Sequence, residues 1–280
     1  MKENLIDDSY INTLYGLNKR YIMIPKCKEY DTTFSNSKLL YYWNDANLKK
    51  ENVTALSIFD KLKIEKQIPT IIYELEGLEY LSFPTHLVKQ IDWKNLCNLR
   101  AFNTTNAKLN IKEKICLPHL IHLCNYKGLV KFTPENLPKL KSLICKYSDW
   151  TMRLLLSYQK MDNIMLCNVD ANICQQLSLM ITVRKLDILS GKIDSISGIS
   201  QITGIEKLHL NSLSHLSNID ELIELNNLNE LCINHCRNIK SWEFLLKLKC
   251  LRDLTIFDCN NKIPNQIVQE LRAKGVVGIF

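Results

Sequence analysis

The sequence predicts a solenoid, a fold built by stacking one short unit on the next. Two observations carry that prediction and a third supports it. An apolar phrase, with a large residue at every third position and another two further on, recurs nine times; its clearest copies are LNNLNELCI at 225–233 and LKCLRDLTI at 248–256. The first anchors fall at Leu75, Leu96, Leu117, Leu137, Tyr158, Met180, Ile202, Leu225 and Leu248, so successive gaps are 21, 21, 20, 21, 22, 22, 23 and 23 residues. A period held this closely marks a repeat architecture. Gly and Pro number only 8 and 7 in 280 residues, which leaves little material for flexible linkers. A solenoid presents a surface rather than a pocket, so the functional question is which side chains line that surface.

Within a copy, Leu231 and Ile233 are separated by one residue and point to the same side of an extended strand, while Cys232 points to the other. Leu228, three earlier, suits the turn that feeds the strand. Cys236 and Cys259 follow Ile233 and Ile256 by three, where a small inward side chain can receive backbone donors as the chain turns away. This phrase resembles the leucine-rich repeat family, with its Leu-x-x-Leu-x-Leu-x-x-Asn/Cys pattern, over residues 75–259. The resemblance implies an α/β solenoid of about ten repeats of 20–25 residues, with a parallel β-sheet on a concave face and helices or irregular segments returning on the convex side. A weaker copy, VTALSI, places Leu56 and Ile58 as a strand pair, and Ile68-Pro69 resembles a common opening of the return segment.

The details depart from the pattern in places. Thr104, Asn125 and Cys145 stand where an aliphatic is usual, and Ala107, Gly128, Ser148 and Gly191 stand at the Asn/Cys position, which predicts looser packing in the middle repeats. The segment 104–117 fits a return. Residues 214–225 read as a helix capped by Ser217 or Asn218, with Ile219, Leu222 and Ile223 inward. Terminal repeats would expose apolar edges, so both ends need caps. Residues 1–50, rich in aromatics and lacking the phrase, read as the N-terminal cap; 51–259 hold the repeats. Residues 260–280 read as a C-terminal cap, a helix between Pro264 and Gly275 followed by a strand with Ile279 in register with Ile256. All three form one structural unit.

The register names the outward residues. From Phe59 through Tyr80, His122, Tyr126 and Ile144 to Met165 the face is mostly aromatic, apolar or small, with Lys146 among them. From Lys185 and Asp187 through Lys207, His209 and Glu230 to Asp253 it becomes a strip of mixed charge. The twelve residues from Phe59 to Glu230 named here are the candidate partner-binding set, since aromatic and Met side chains are enriched in interface cores. A covering loop would equally explain the apolar ones, and cross-strand charge ladders would equally explain Lys185/Asp187 and Lys207/Glu230.

Enzymatic constellations are absent from the sequence. There is no Gly-rich phosphate loop, no HExxH and no CxxC pair. Cys232, His235 and Cys236 resemble the start of a metal site, but the strand alternation sends the two thiols to opposite faces, so no metal and no cofactor are predicted. His122 and Cys124 lie on one strand two residues apart, roughly 7 Å, beyond nucleophile–base contact. The chain therefore reads as a non-enzyme. Eleven cysteines with no export signal and no apolar run of about 18 residues point to reduced thiols in the cytoplasm.

The formal charge of +7 is concentrated in residues 101–200, with 13 Lys/Arg against 7 Asp/Glu. That basic middle makes RNA binding the alternative function. The leading expectation is a protein-binding module, monomeric apart from one protein partner and without membrane contact. Divergent repeats with no attached domain resemble bacterial immunity proteins that neutralise a cognate toxin, including those of contact-dependent growth inhibition. The partner implied is then a toxin domain.

Overall fold

The computed structural model describes residues 21–24, 38–39, 55–58, 67–68, 70–158, 160–170 and 172–280. Two compact units divide the chain at residue 140. The first contains strands β1 (Tyr21–Ile24), β2 (Lys38–Leu39), β3 (Ala55–Ile58), β4 (Tyr80–Ser82), β5 (Ala101–Thr105), β6 (Lys108–Asn110), β7 (His122–Tyr126) and β8 (Leu129–Lys131). Its main sheet runs in the order β7-β5-β4-β3-β1-β2, every pair parallel, and β6 pairs with β8 in a small second sheet. The segment read as a cap, 1–50, thus contributes two strands to the sheet; the rest of it lies outside the described residues. The return at 104–117 holds strand β6.

The second unit carries β9 (Ser142–Lys146), β10 (Asn163–Val169), β11 (Lys185–Gly191), β12 (Lys207–Asn211), β13 (Glu230–Asn234), β14 (Asp253–Phe257) and β15 (Val277–Ile279), again all parallel and adjacent in chain order. Its helices are α1 (Asp149–Leu156), α2 (Ile173–Gln176) and α3 (Asn265–Ala273). The fold is the α/β leucine-rich-repeat solenoid.

The repeated phrase builds the core one rung at a time. Its strand anchors stack in register, Ile164 on Leu186, Leu208, Leu231 and Leu254, and all five are fully buried. At about 1.5–3 kcal/mol for each fully buried aliphatic side chain, these ladders are the main favourable contribution to the stack. At or just past the C-terminal ends of β5, β7, β10, β11, β12, β13 and β14 one non-glycine residue takes a left-handed backbone: Asn106, Lys127, Asn168, Ser190, Ser212, His235 and Asp258, with φ between 47° and 59°. The conformation costs on the order of 1 kcal/mol for such residues. It swings the chain inward, so the thiol of Cys236 drops into the core and donates to the Leu210 and Asn234 carbonyls. Cys259 repeats the arrangement with Ile233 and Phe257.

Two expectations are corrected, on the 214–225 return and on β15. At the departures from the repeat pattern, Thr104, Asn125 and Cys145 are all buried. Asn125 accepts from the Ala107 N–H at 3.1 Å and donates to the Ala107 and Leu129 carbonyls at 3.0 and 2.9 Å, so its amide replaces aliphatic packing with satisfied backbone bonds. Residues 214–225 form no α-helix but a five-residue 3-10 turn, Asp220–Glu224, and Ile223 is only half-buried. Ile219, Leu222, Leu225 and Leu228, all buried, recur every third residue, and that spacing fits the three residues per turn of a 3-10 segment. Finally, β15 pairs Thr255 with Ile279 and Leu254 with Gly278, one residue away from the predicted register. A one-residue shift reverses the faces, so Val276 is buried while Val277 and Ile279 point out.

Candidate protein-binding face

The predicted outward residues divide into a buried group and an accessible group. In the first unit Tyr80, Ala101, Asn103, His122 and Cys124 are buried, and Asn103 donates to the Tyr80 hydroxyl at 2.9 Å. Burial pushes His122 down to about 4, so its ring is neutral at pH 7. Tyr126 is half-buried, with the Lys127 ammonium 5.2 Å from its ring centre. Phe59 lies outside the described residues. In the second unit Ser142, Ile144, Asn163 and Cys167 are buried, while Lys146 and Met165 are half-buried. Within their own units Tyr126, Lys146 and Met165 keep accessible surface, whereas Tyr80, His122 and Ile144 do not. These three are therefore not the exposed side chains that the register alone implies; strand alternation fixes which way a side chain points, not what lies over it.

The charged strip is one connected network in the second unit. Asp187 on β11 stands opposite His209 on β12, and Lys207 stands opposite Glu230 on β13. Lys185, two residues before Asp187 on the same face, approaches its carboxylate at 3.5 Å. His209 lies between the acids, its Nδ1 2.6 Å from Asp187 Oδ1 and its Nε2 2.8 Å from Glu230 Oε1. Lys207 closes the far end on Glu230 Oε2. His209 Nε2 is hydrogen-bonded to Glu230 and Nδ1 makes a close ion-pair contact with Asp187, a setting between two carboxylates that favours the imidazolium. Burial alone would lower the His209 pKa, but the interactions with Asp187 and Glu230 outweigh it and raise it to about 9. Glu230 is held down at about 2, chiefly by the His209 bond and against the effect of burial. Of the charge pairs left open by the sequence, Lys207–Glu230 crosses from β12 to β13 and Lys185–Asp187 lies within β11, and His209 joins the two across the strands.

This arrangement holds strands together. Both His209 nitrogens are committed, so the ring offers neither a base nor a metal ligand. Cys232 on the neighbouring strand has its thiol pKa raised, first by burial and then by the Asp187 and Glu230 charges, which disfavours a thiolate nucleophile.

Beyond the network the face turns apolar and open. Phe257 on β14 is 59% exposed, and Val277 and Ile279 on β15 are 54% and 70% exposed. Val277 lies opposite Asp253 and Ile279 opposite Thr255. His235 stacks against Phe257 at 6.2 Å between ring centres, and its Nδ1 lies 3.3 Å from Asp258, which also takes a bond from Arg237 at 2.8 Å. Strand alternation from the outward Asp253 also puts Phe257 on this face, whereas the register expected for Ile279 turns Ile279 and Val277 away from it. VVGIF is apolar at both parities, so its pattern cannot choose a register.

No protein-family model matches the sequence, and no curated protein is detectably similar to it. Solved structures do match. An internalin, inlF, of Listeria monocytogenes aligns over 88% of this chain and 72% of its own, at 16% identity and a TM-score of 0.56. A leucine-rich-repeat protein of Leptospira interrogans aligns over 85% of this chain and 69% of its own, at 22% identity and a TM-score of 0.51. At these identities the likeness establishes the leucine-rich-repeat fold that the parallel sheet already defines. Among the described residues, no helix is long and apolar enough to cross a membrane.

Proposed function

We propose that the protein is a non-enzymatic binding module that holds one protein partner against the sheet face of its second unit, from β11 to β15. One observation carries this reading: Phe257, Val277 and Ile279 are large, apolar and more than half exposed on the same sheet face, beside the exposed carboxylate of Asp253. Clustered apolar side chains left in water with a charged rim mark interaction sites. The neighbouring Asp187–His209–Glu230 network preorganises that surface, which lowers the ordering cost of binding. Met165, Lys185 and Lys207 extend the surface towards β10.

Within that reading we place the protein as a cytoplasmic inhibitor of the immunity type, neutralising a cognate toxin by occlusion. If the neighbouring gene encodes a toxin, co-expression tests this: the wild-type chain should protect the cell, and a Phe257→Ala, Ile279→Ala double variant should not. Each central apolar contact is worth about 2 kcal/mol, so the double variant should weaken a purified complex several hundred-fold while leaving the melting temperature unchanged. Equal affinity of the variant and the wild type would remove this face as the site.

A further inference from the structure

Among the described residues, strand β15 pairs with β14 on one side and with no strand on the other. Val277 donates its N–H to the Arg252 carbonyl on the β14 side at 2.8 Å. Backbone groups alternate along a strand, so those of Val276 and Gly278 face the open side. Sheet edges are ordinarily blunted by a charged residue or a proline, and VVGIF has neither. The last turn of α3 supplies a cover instead. Arg272 donates from Nη1 to the Val276 carbonyl at 3.2 Å and from Nη2 to the Gly278 carbonyl at 2.9 Å. Its guanidinium also lies 4.2 Å from the Phe280 ring centre. The Val276 N–H is taken by the Leu271 carbonyl at 3.0 Å. One planar fork therefore occupies the outward carbonyls of Val276 and Gly278, and the N–H groups of Gly278 and, by the same alternation, Phe280 remain as donors facing out.

We propose that Arg272 closes a strand-pairing site on the β15 edge, and that the strand it keeps out is β15 of a second copy of this chain. The edge is self-complementary. Antiparallel pairing centred on Gly278 sets Val277 against Ile279 of the second copy and Ile279 against its Val277, the isologous contact of a two-fold dimer. Both side chains are exposed, and no side chain of VVGIF carries a charge to repel its mate. Arginine suits the closing role because two donors in a rigid plane can meet two carbonyls at once, whereas a lysine ammonium is a single point charge.

Arg272→Met removes both bonds and keeps an apolar stem against Phe280. Sedimentation velocity of the full chain should show self-association tightened at least about tenfold over wild type, the effect of freeing two edge acceptors. In the same variant, hydrogen exchange at the Gly278 amide should slow at least about tenfold on association, because that donor gains a partner. Arg272→Met combined with Ile279→Lys places a charge on the edge and should return to the wild-type mass. If Arg272→Met is folded by circular dichroism yet associates no more than wild type, the proposal fails. It fails equally if association survives Ile279→Lys or leaves the Gly278 amide fast. Should Arg272→Met not fold, Arg272→Lys decides: a folded lysine variant must associate more than wild type, and one that behaves as wild type overturns the closing role.

Discussion

His209→Gln isolates the contribution of the imidazolium that joins three strands. In the folded chain His209 titrates at about 9, against an ordinary 6.5. A group whose folded pKa is raised contributes stability that is complete below the unfolded value and disappears as pH climbs through the folded one. The full shift corresponds to about 3 kcal/mol at 1.36 kcal/mol per unit, and it counts the same bonds that depress Glu230, so the two are not added. Linkage then gives a contribution of about 3 kcal/mol at pH 6 and pH 7, about 1 kcal/mol at pH 8 and little at pH 9. Urea unfolding of wild type and His209→Gln, followed by far-ultraviolet circular dichroism at those four pH values, measures the difference directly. Glutamine can keep one neutral hydrogen bond, which adds a constant offset but no pH dependence. The difference between the two proteins should shrink by about 2–3 kcal/mol from pH 6 to pH 9. A difference that stays flat over that range would refute the conclusion that a protonated His209 holds the two carboxylates.

The acid side runs the other way: Glu230 is depressed to about 2 from 4.5, so its contribution is present above pH 4.5 and should be lost as pH falls towards 2, a second limb in the same titration. Asn125→Leu restores the aliphatic of the repeat pattern but strands the Ala107 N–H and the Ala107 and Leu129 carbonyls; it should destabilise the chain by about 2–4 kcal/mol and lower the melting temperature. A neutral or stabilising result would show that the backbone groups find other partners. Thiol labelling at pH 8 should modify the exposed Cys97, Cys116 and Cys250 within minutes, while Cys174 and Cys236, buried and pushed up to about 12, should react only on unfolding. Rapid labelling of Cys236 would place it outside the core.

The repeat period by itself determined the solenoid, its strands and the face on which each anchor lies. Alternation along a strand and a constant spacing between rungs are local rules, and they hold at Leu231, Ile233 and Cys236 because each repeat packs mainly on its neighbours. Lys185, Asp187, Lys207, His209 and Glu230 were legible as one outward strip for the same reason. The way they pair was not, since a histidine between two carboxylates is defined by distances across three strands. Cover and edges were likewise decided only in three dimensions. Tyr80, His122 and Ile144 point outward as the register requires and are nonetheless buried, because pointing and exposure are different properties. The open apolar end at Phe257, Val277 and Ile279 depends on a one-residue shift in β15, where an apolar sequence at both parities carries no instruction and the observed register sets Gly278 against the Leu254 backbone, too close for any side chain.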